Sequence, residues 1–129
     1  MSQSCTCLDK VVGSSAKLQF TVGIDHTAIA LGSGSVNVLA TPIAIAWCEA
    51  ATAAAVAPKI CNRCTTVGYK IDFKHLFPTA VGQVVIATAL VESISGDRIQ
   101  FEVELHEADR SVGNGGITRV HVNKSSWPT

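Results

Sequence analysis

A chain of 129 residues with ten basic and ten acidic side chains and no formal net charge suits one domain, 1–129, with an adequate core and no room for a second. The charges are scattered singly, which excludes both a basic stripe for nucleic acid and a charged block of the kind found in disordered tails. The opening MSQSCTCLDK lacks the apolar core of a secretion signal, and the odd count of five cysteines favours free thiols in a reducing, cytoplasmic setting.

In chain order, residues 1–15 are small and polar and predict a loose N-terminal arm. From Lys17 to Val22, Leu18, Phe20 and Val22 alternate with Lys17, Gln19 and Thr21, the pattern of a half-buried strand. Between Gly23 and Ala40 the periodicity fails, and Gly32-Ser33-Gly34-Ser35 predicts a flexible loop. A loop of that length in a compact domain is more often functional than idle.

The stretch Thr41 to Pro58 reads as one helix, with Thr41 at the N-cap, Pro42 at the first helical position and Pro58 as the stop. A run of alanines gives it high helix propensity and little bulk. With Ile43, Ile45, Trp47 and Val56 it is apolar nearly all round, which predicts burial. It is too short and alanine-rich to cross a bilayer, so no membrane partner is expected. Glu49 is its single charge. A carboxylate on a buried helix is costly unless it is paired, solvated by a cleft or used in chemistry.

Cys61 and Cys64 have CxxC spacing, and Cys5 and Cys7 would complete four ligands. A structural zinc site normally pairs two close-spaced doublets, so the expectation is no metal, and a plain loop between helix and strand. Four strand signals follow. Thr66 to His75 places Val67, Tyr69, Ile71, Phe73 and His75 on one face, with Gly68, Lys70, Asp72 and Lys74 on the other. Gln83 to Glu92 is apolar on both faces and predicts a central strand. Ser95-Gly96-Asp97 is a hairpin turn, and Arg98 to His106 points Ile99, Phe101, Val103 and Leu105 inward. Gly113 to Gly116 is expected to break the pairing before a last strand from Ile117 to Lys124.

Neither glycine-rich run lies between a strand and a helix of a βαβ unit, so neither is a nucleotide loop. A Gly-x-Ser-x-Gly elbow is missing, which argues against an α/β-hydrolase. A single long helix cannot cover its own apolar surface, whereas a curved antiparallel sheet around it can. The fold expected is therefore α+β, a five-stranded antiparallel sheet wrapped around one long central helix, which matches the hot-dog fold.

Three segments carry a family resemblance. They are VLATPIAIAWCEAA (Val38 to Ala51), with a threonine eight positions before a glutamate; TTVGYKIDFKH (Thr65 to His75), with a glycine seven positions before a histidine; and GNGGITRVHV (Gly113 to Val122), with an arginine after a glycine-rich turn. Together they resemble the fluoroacetyl-CoA thioesterase-like branch of the hot-dog thioesterases, from about Val36 to Trp127. The resemblance implies hydrolysis of a small acyl-CoA thioester, with Thr41, Glu49 and His75 as catalytic residues and Gly68 and Arg119 lining the acyl site. The family's aromatic gate falls at Ser35, which the resemblance places against the substrate. Its usual Thr-His-Glu-Arg run is Gly116-Ile117-Thr118-Arg119 here. The reaction class survives these departures; selectivity for fluoroacetyl-CoA does not follow from them.

Each of these residues also has a plainer explanation. Thr41 suits a cap, His75 a satisfied core histidine, and Arg119 a strand ion-pair partner. Glu49 is the hardest to explain by structure alone, and both a nucleophilic and a general-base role are open to it. His121 shares the parity of Arg119, while His106 and His26 receive no role. The alternative reading is a non-catalytic acyl-CoA-binding or sensor module. No cofactor is expected beyond the coenzyme A of the substrate. Because Thr41 and Glu49 stand roughly 12 Å apart on one helix, the expected assembly is a homodimer with shared sites, open to further pairing as a tetramer.

Overall fold

Alanine-rich α2, Thr41–Val56, is the helix around which the sheet is arranged. The computed structural model describes residues 8–126, with β1 at Ser15–Thr21, a short α1 at Ala28–Leu31, and then α2. These are followed by β2 at Cys64–His75, β3 at Val84–Ser95, β4 at Arg98–Glu107 and β5 at Arg110–Asn123. The five strands form one antiparallel sheet in the order β1-β3-β4-β5-β2. This is the expected α+β architecture of a sheet around one long helix, with β3 inside the sheet as its two-sided apolar pattern requires.

The core lies between α2 and the inner face of β3, β4 and β5. Ala44, Cys48, Ala51 and Val56 of the helix meet Val85, Ala87, Ala89, Ile99, Phe101, Val103 and Leu105. Small helix side chains let the sheet come close. Trp47 is the exception in size, and it stacks on Phe20 of β1 with ring centroids 4.6 Å apart, so the first strand is clamped to the helix.

Several expectations need correcting. The helix is not buried all round: Pro42, Ala46 and Ala50 are exposed along one side. Thr41 is the first helical residue, and Ala40 is the N-cap, without a side-chain bond. The loop from Gly23 to Ala40 holds a turn at Ile24–His26 and the one-turn α1, which Thr27 caps by accepting from Ala30 N at 3.2 Å. Of the expected loose arm, Leu8 onward is packed: Val11 is fully buried, and the Gly13 amide donates to the Val91 carbonyl at 3.1 Å. Residues 1–7, with Cys5 and Cys7, lie outside the described residues, as do 127–129.

The glycine run does not break β5. Gly115 has no room for a Cβ, which would run into the Asp72 carbonyl, and a Cβ on Gly113 would come within 2.5 Å of Phe73 Cζ. These glycines let β2 and β5 approach and let the Phe73 ring lie across the pair. Cys64 is disulfide-bonded, which corrects the expectation of five free thiols. Among the described residues no cluster of histidine, cysteine and acidic side chains could hold a metal ion, and no helix is long and apolar enough to cross a membrane.

Strand β2 departs from simple alternation in a way that matters for function. Gly68 pairs with Arg119 and Lys70 with Thr118, so Tyr69 is an extra residue at a β-bulge. A bulge shifts the alternation by one. Tyr69 therefore does not share the face of Phe73 and His75; the residue is 56% exposed and its ring lies under the Arg98 guanidinium at 4.5 Å. Gly68, expected on the opposite face from His75, is turned toward the helix as His75 is.

Candidate active site

Two groups of polar side chains face α2 from β2 and β5, one near each end of the helix. At the N-terminal end, Thr41 Oγ1 lies 2.7 Å from His75 Nδ1. The bond exists because Thr41 is the first helical residue, so its hydroxyl is not spent on capping. Ile43 and Ala44 both donate to the Ala40 carbonyl, and Pro42 has no N–H. Among the described residues the Thr41 amide is thus the one donor of this turn without a backbone partner, fewer than the several free amides a helix N-terminus offers in general. His75 Nε2 is buried and unpartnered. Burial lowers the pKa of His75 below its ordinary value, and the Phe77 backbone opposes this from outside good hydrogen-bond geometry. The ring is therefore neutral at pH 7, with one nitrogen to donate and one to accept.

The second group surrounds Glu49. Its Oε2 occupies the space where a Gly68 side chain would begin, 2.6 Å from the position of a Cβ. Glycine at 68 is what admits the carboxylate to the surface of β2. Arg119, across from Gly68, donates from Nε to Thr66 Oγ1 at 2.7 Å and from Nη2 to the Thr66 carbonyl at 2.9 Å. Burial lowers the pKa of this guanidinium, and the charge of Glu49 opposes the shift. Glu49 itself forms no ion pair among the described residues. It is a half-buried carboxylate with a cation held nearby but not closed upon it. Thr66 was not foreseen; only the register between β2 and β5 reveals it as the group that aims Arg119.

Ser35 is exposed and does not line the cavity at Thr41 and His75, although its neighbours Gly34 and Val36 do. His121 is buried with Nε2 unpartnered, and its amide donates to the Asp97 carbonyl at 2.7 Å. His106 Nδ1 lies 3.0 Å from the Ala108 carbonyl in the hairpin between β4 and β5. His26 Nδ1 accepts from the Gly23 amide at 2.9 Å, and its ring stands edge-on to Trp47. Burial pushes the Cys48 thiol up to about 12, so the one cysteine beside Glu49 cannot serve as a thiolate nucleophile.

A sheet wrapped around one helix, with a threonine–histidine pair at the helix start and a carboxylate two turns on, defines a hot-dog thioesterase, an enzyme that hydrolyses acyl-CoA thioesters. The model of the FlK family, described as fluoroacetyl-CoA-specific thioesterase, matches residues 22–125, and the chain belongs to that family. Among solved structures it is similar to a single-residue variant of the fluoroacetyl-CoA-specific thioesterase FlK in complex with fluoroacetate and CoA. The TM-score is 0.83 at 25% identity, covering 91% of this chain and 98% of that one. A thioesterase superfamily member from Thermus thermophilus shares the fold at TM-score 0.82 and 22% identity, covering 88% and 85% of the two chains. A thioesterase from Haemophilus influenzae does so at 0.72 and 17%, covering 85% and 73%. The search of curated proteins found no match.

Proposed function

We propose that the protein is a homodimer that hydrolyses a small acyl-CoA thioester at two equivalent sites. Each site would draw Thr41 and His75 from one subunit and Glu49, Gly68 and Arg119 from the other. The observation that carries this reading is the division of the polar groups within one chain. Thr41 and Glu49 are eight residues apart on α2, roughly 12 Å along its axis, so they cannot reach one carbonyl together.

Two further features support the pairing. Strand β2 is a sheet edge, exposed from Gly68 to Asp72, and α2 exposes Pro42, Ala46 and Ala50 beside it. Open strand edges invite pairing with another strand. A two-fold axis near Lys70 would set two β2 strands antiparallel, with His75 of one subunit beside residues 65–68 of the other.

In such a site the thioester oxygen takes hydrogen bonds from the Thr41 amide and hydroxyl, which stabilise the developing oxyanion. With its proton on Nδ1, His75 donates to Thr41 and leaves the hydroxyl proton for the substrate. The carboxylate of Glu49 acts on the carbonyl carbon directly, giving a mixed anhydride that water then opens, or removes a proton from the attacking water. By either route the C–S bond breaks, CoA leaves as the thiolate and takes up a proton, and a water oxygen is consumed in hydrolysis. Neither route calls for a metal or a further cofactor. The cytoplasmic location is proposed from the acyl-CoA substrate alone, since the disulfide at Cys64 removes the argument from free thiols.

The test is thiol release from a panel running from acetyl-CoA to aromatic acyl-CoAs. Turnover of at least one member is expected, with Glu49→Ala and His75→Ala each lowering it by about 10²–10⁴-fold. Folded protein that releases no thiol above background from any of them would leave the acyl-CoA-binding reading. Mass spectrometry of rapidly quenched enzyme separates the two roles of Glu49, since only the anhydride route adds an acyl group to it.

A further inference from the structure

The Thr41–His75 pair opens onto a cavity of about 320 Å³ whose walls include Val36, Leu39, Leu76 and Phe77. Among the described residues, no ionisable side chain besides His75 lines it. Val36, Leu76 and Phe77 are 59%, 47% and 46% exposed, three large apolar side chains gathered at one opening and left in water by the chain itself. Exposed apolar area of this kind, gathered around a polar pair, is what an apolar ligand would cover.

Phe77 is the largest of these walls, and its position is fixed from behind. Its amide donates to the Val112 carbonyl at 3.2 Å. The Arg110 guanidinium lies over its ring, 5.2 Å from the centroid, and Arg110 is held in turn by Glu107 at 3.3 Å. Gly34, another lining residue, lets the loop lie close to α1, where a Cβ would stand only 3.2 Å from Ala28 Cβ. Ser35, the position that the family resemblance assigns to the gate, takes no part in the lining.

We propose that Phe77, which lines the cavity together with Val36, is the residue that sets which acyl groups the enzyme accepts. The groups favoured are uncharged and apolar, larger than acetyl, with the Phe77 ring setting the upper limit of their size. The proposal rests on the hydrolase reading above. A distal carboxylate, as in succinyl-CoA, would find no free cation on this wall, because Arg110 is paired with Glu107 and the Arg119 that the second subunit brings is bonded to its own Thr66 beside Glu49. Arg110 is a positioning residue for the ring and does not touch substrate.

The experiment compares kcat/KM for acetyl-, isobutyryl-, phenylacetyl- and succinyl-CoA in the wild type, Phe77→Ala, Val36→Phe and Arg110→Gln. Succinyl-CoA is expected to be the poorest substrate of the wild type. Phe77→Ala should raise the phenylacetyl-to-acetyl ratio about tenfold and Val36→Phe should lower it about tenfold, the low end of what one methylene is worth in an apolar pocket. Arg110→Gln should move the ratio in the direction of Phe77→Ala. Ratios within twofold of the wild type in both Phe77→Ala and Val36→Phe overturn the proposal, as does succinyl-CoA turning over as well as isobutyryl-CoA. Should no thioester be hydrolysed, the hydrolase reading fails by itself. The affinities of S-phenethyl-CoA and S-ethyl-CoA, compared in the same variants, then decide on Phe77.

Discussion

Gly68 and His75 lie seven residues apart on one β-strand, and both face α2. An odd separation in a regular strand would put them on opposite faces; the bulge at Tyr69 brings them to the same one. Glu49 occupies the space that glycine leaves at 68, and Thr41 bonds the histidine at 75. One extra residue in β2 thus turns both halves of the candidate site toward the helix.

Glycines 68 and 115 are predicted to fail differently. In Gly68→Ala the new methyl meets the end of a flexible side chain, Glu49 Oε2, which can swing away. The fold should survive with Tm nearly unchanged, while thiol release falls tenfold or more because the carboxylate is displaced. In Gly115→Ala the methyl meets the backbone of β2 at Asp72, which cannot yield without opening the β2–β5 ladder. A loss of about 3 kcal/mol is expected, or roughly 10 °C in Tm. Thermal melts and steady-state rates on both variants check the contrast. A Gly68→Ala enzyme of wild-type rate would remove Glu49 from the reaction.

Acid should act on activity through His75 and on stability through His75 and His121 together. Burial holds the pKa of His75 below its ordinary 6.5, and burial does the same for His121 against the opposing charge of Asp97. Both rings are neutral in the folded protein at pH 7, so kcat/KM should be flat there and decline only on the acid side of 6.5. For stability the sign is fixed by linkage. Above 6.5 both rings are neutral folded and unfolded alike, so full stability is present. As pH falls from 6.5 toward the lowered folded values, the unfolded chain binds protons first and stability is lost. Melting curves between pH 8 and 5 should show this, and His121→Gln should flatten the acid part of the Tm profile. A Tm that rises on acidification through this range contradicts the assignment.

Subunit mixing tests the shared site. Glu49→Ala and Thr41→Ala homodimers are each expected to be inactive. After exchange, a mixed dimer contains one site with an intact Thr41, His75 and Glu49, so activity should return toward half that of the wild type per mixed dimer. Native mass spectrometry counts the mixed dimers, and thiol release measures their rate. Mixed dimers without recovered activity would confine the chemistry to one chain.

The sequence by itself determined the layers. The alanine-rich run from Thr41 to Val56 fixes a slim helix, and the alternation of Ile99, Phe101, Val103 and Leu105 fixes a strand with one apolar face, because helix propensity and period-two burial are local properties. The spacing of Thr41, Glu49, Gly68, His75 and Arg119 was legible too, as was the thioesterase class it resembles. What only the tertiary structure decided depends on partners distant in the chain. The bulge at Tyr69 exists only against β5, the aim of Arg119 comes from Thr66 across the ladder, and the glycines of β5 read as a break until Phe73 and the β2 backbone are laid over them. The wall at Phe77 belongs with these: it follows His75 as an ordinary apolar residue, and acquires meaning from the Arg110 over its ring and the cavity it shares with Val36. Pattern along a chain records which face a residue prefers, whereas register and contact are set by the whole sheet closing on its helix.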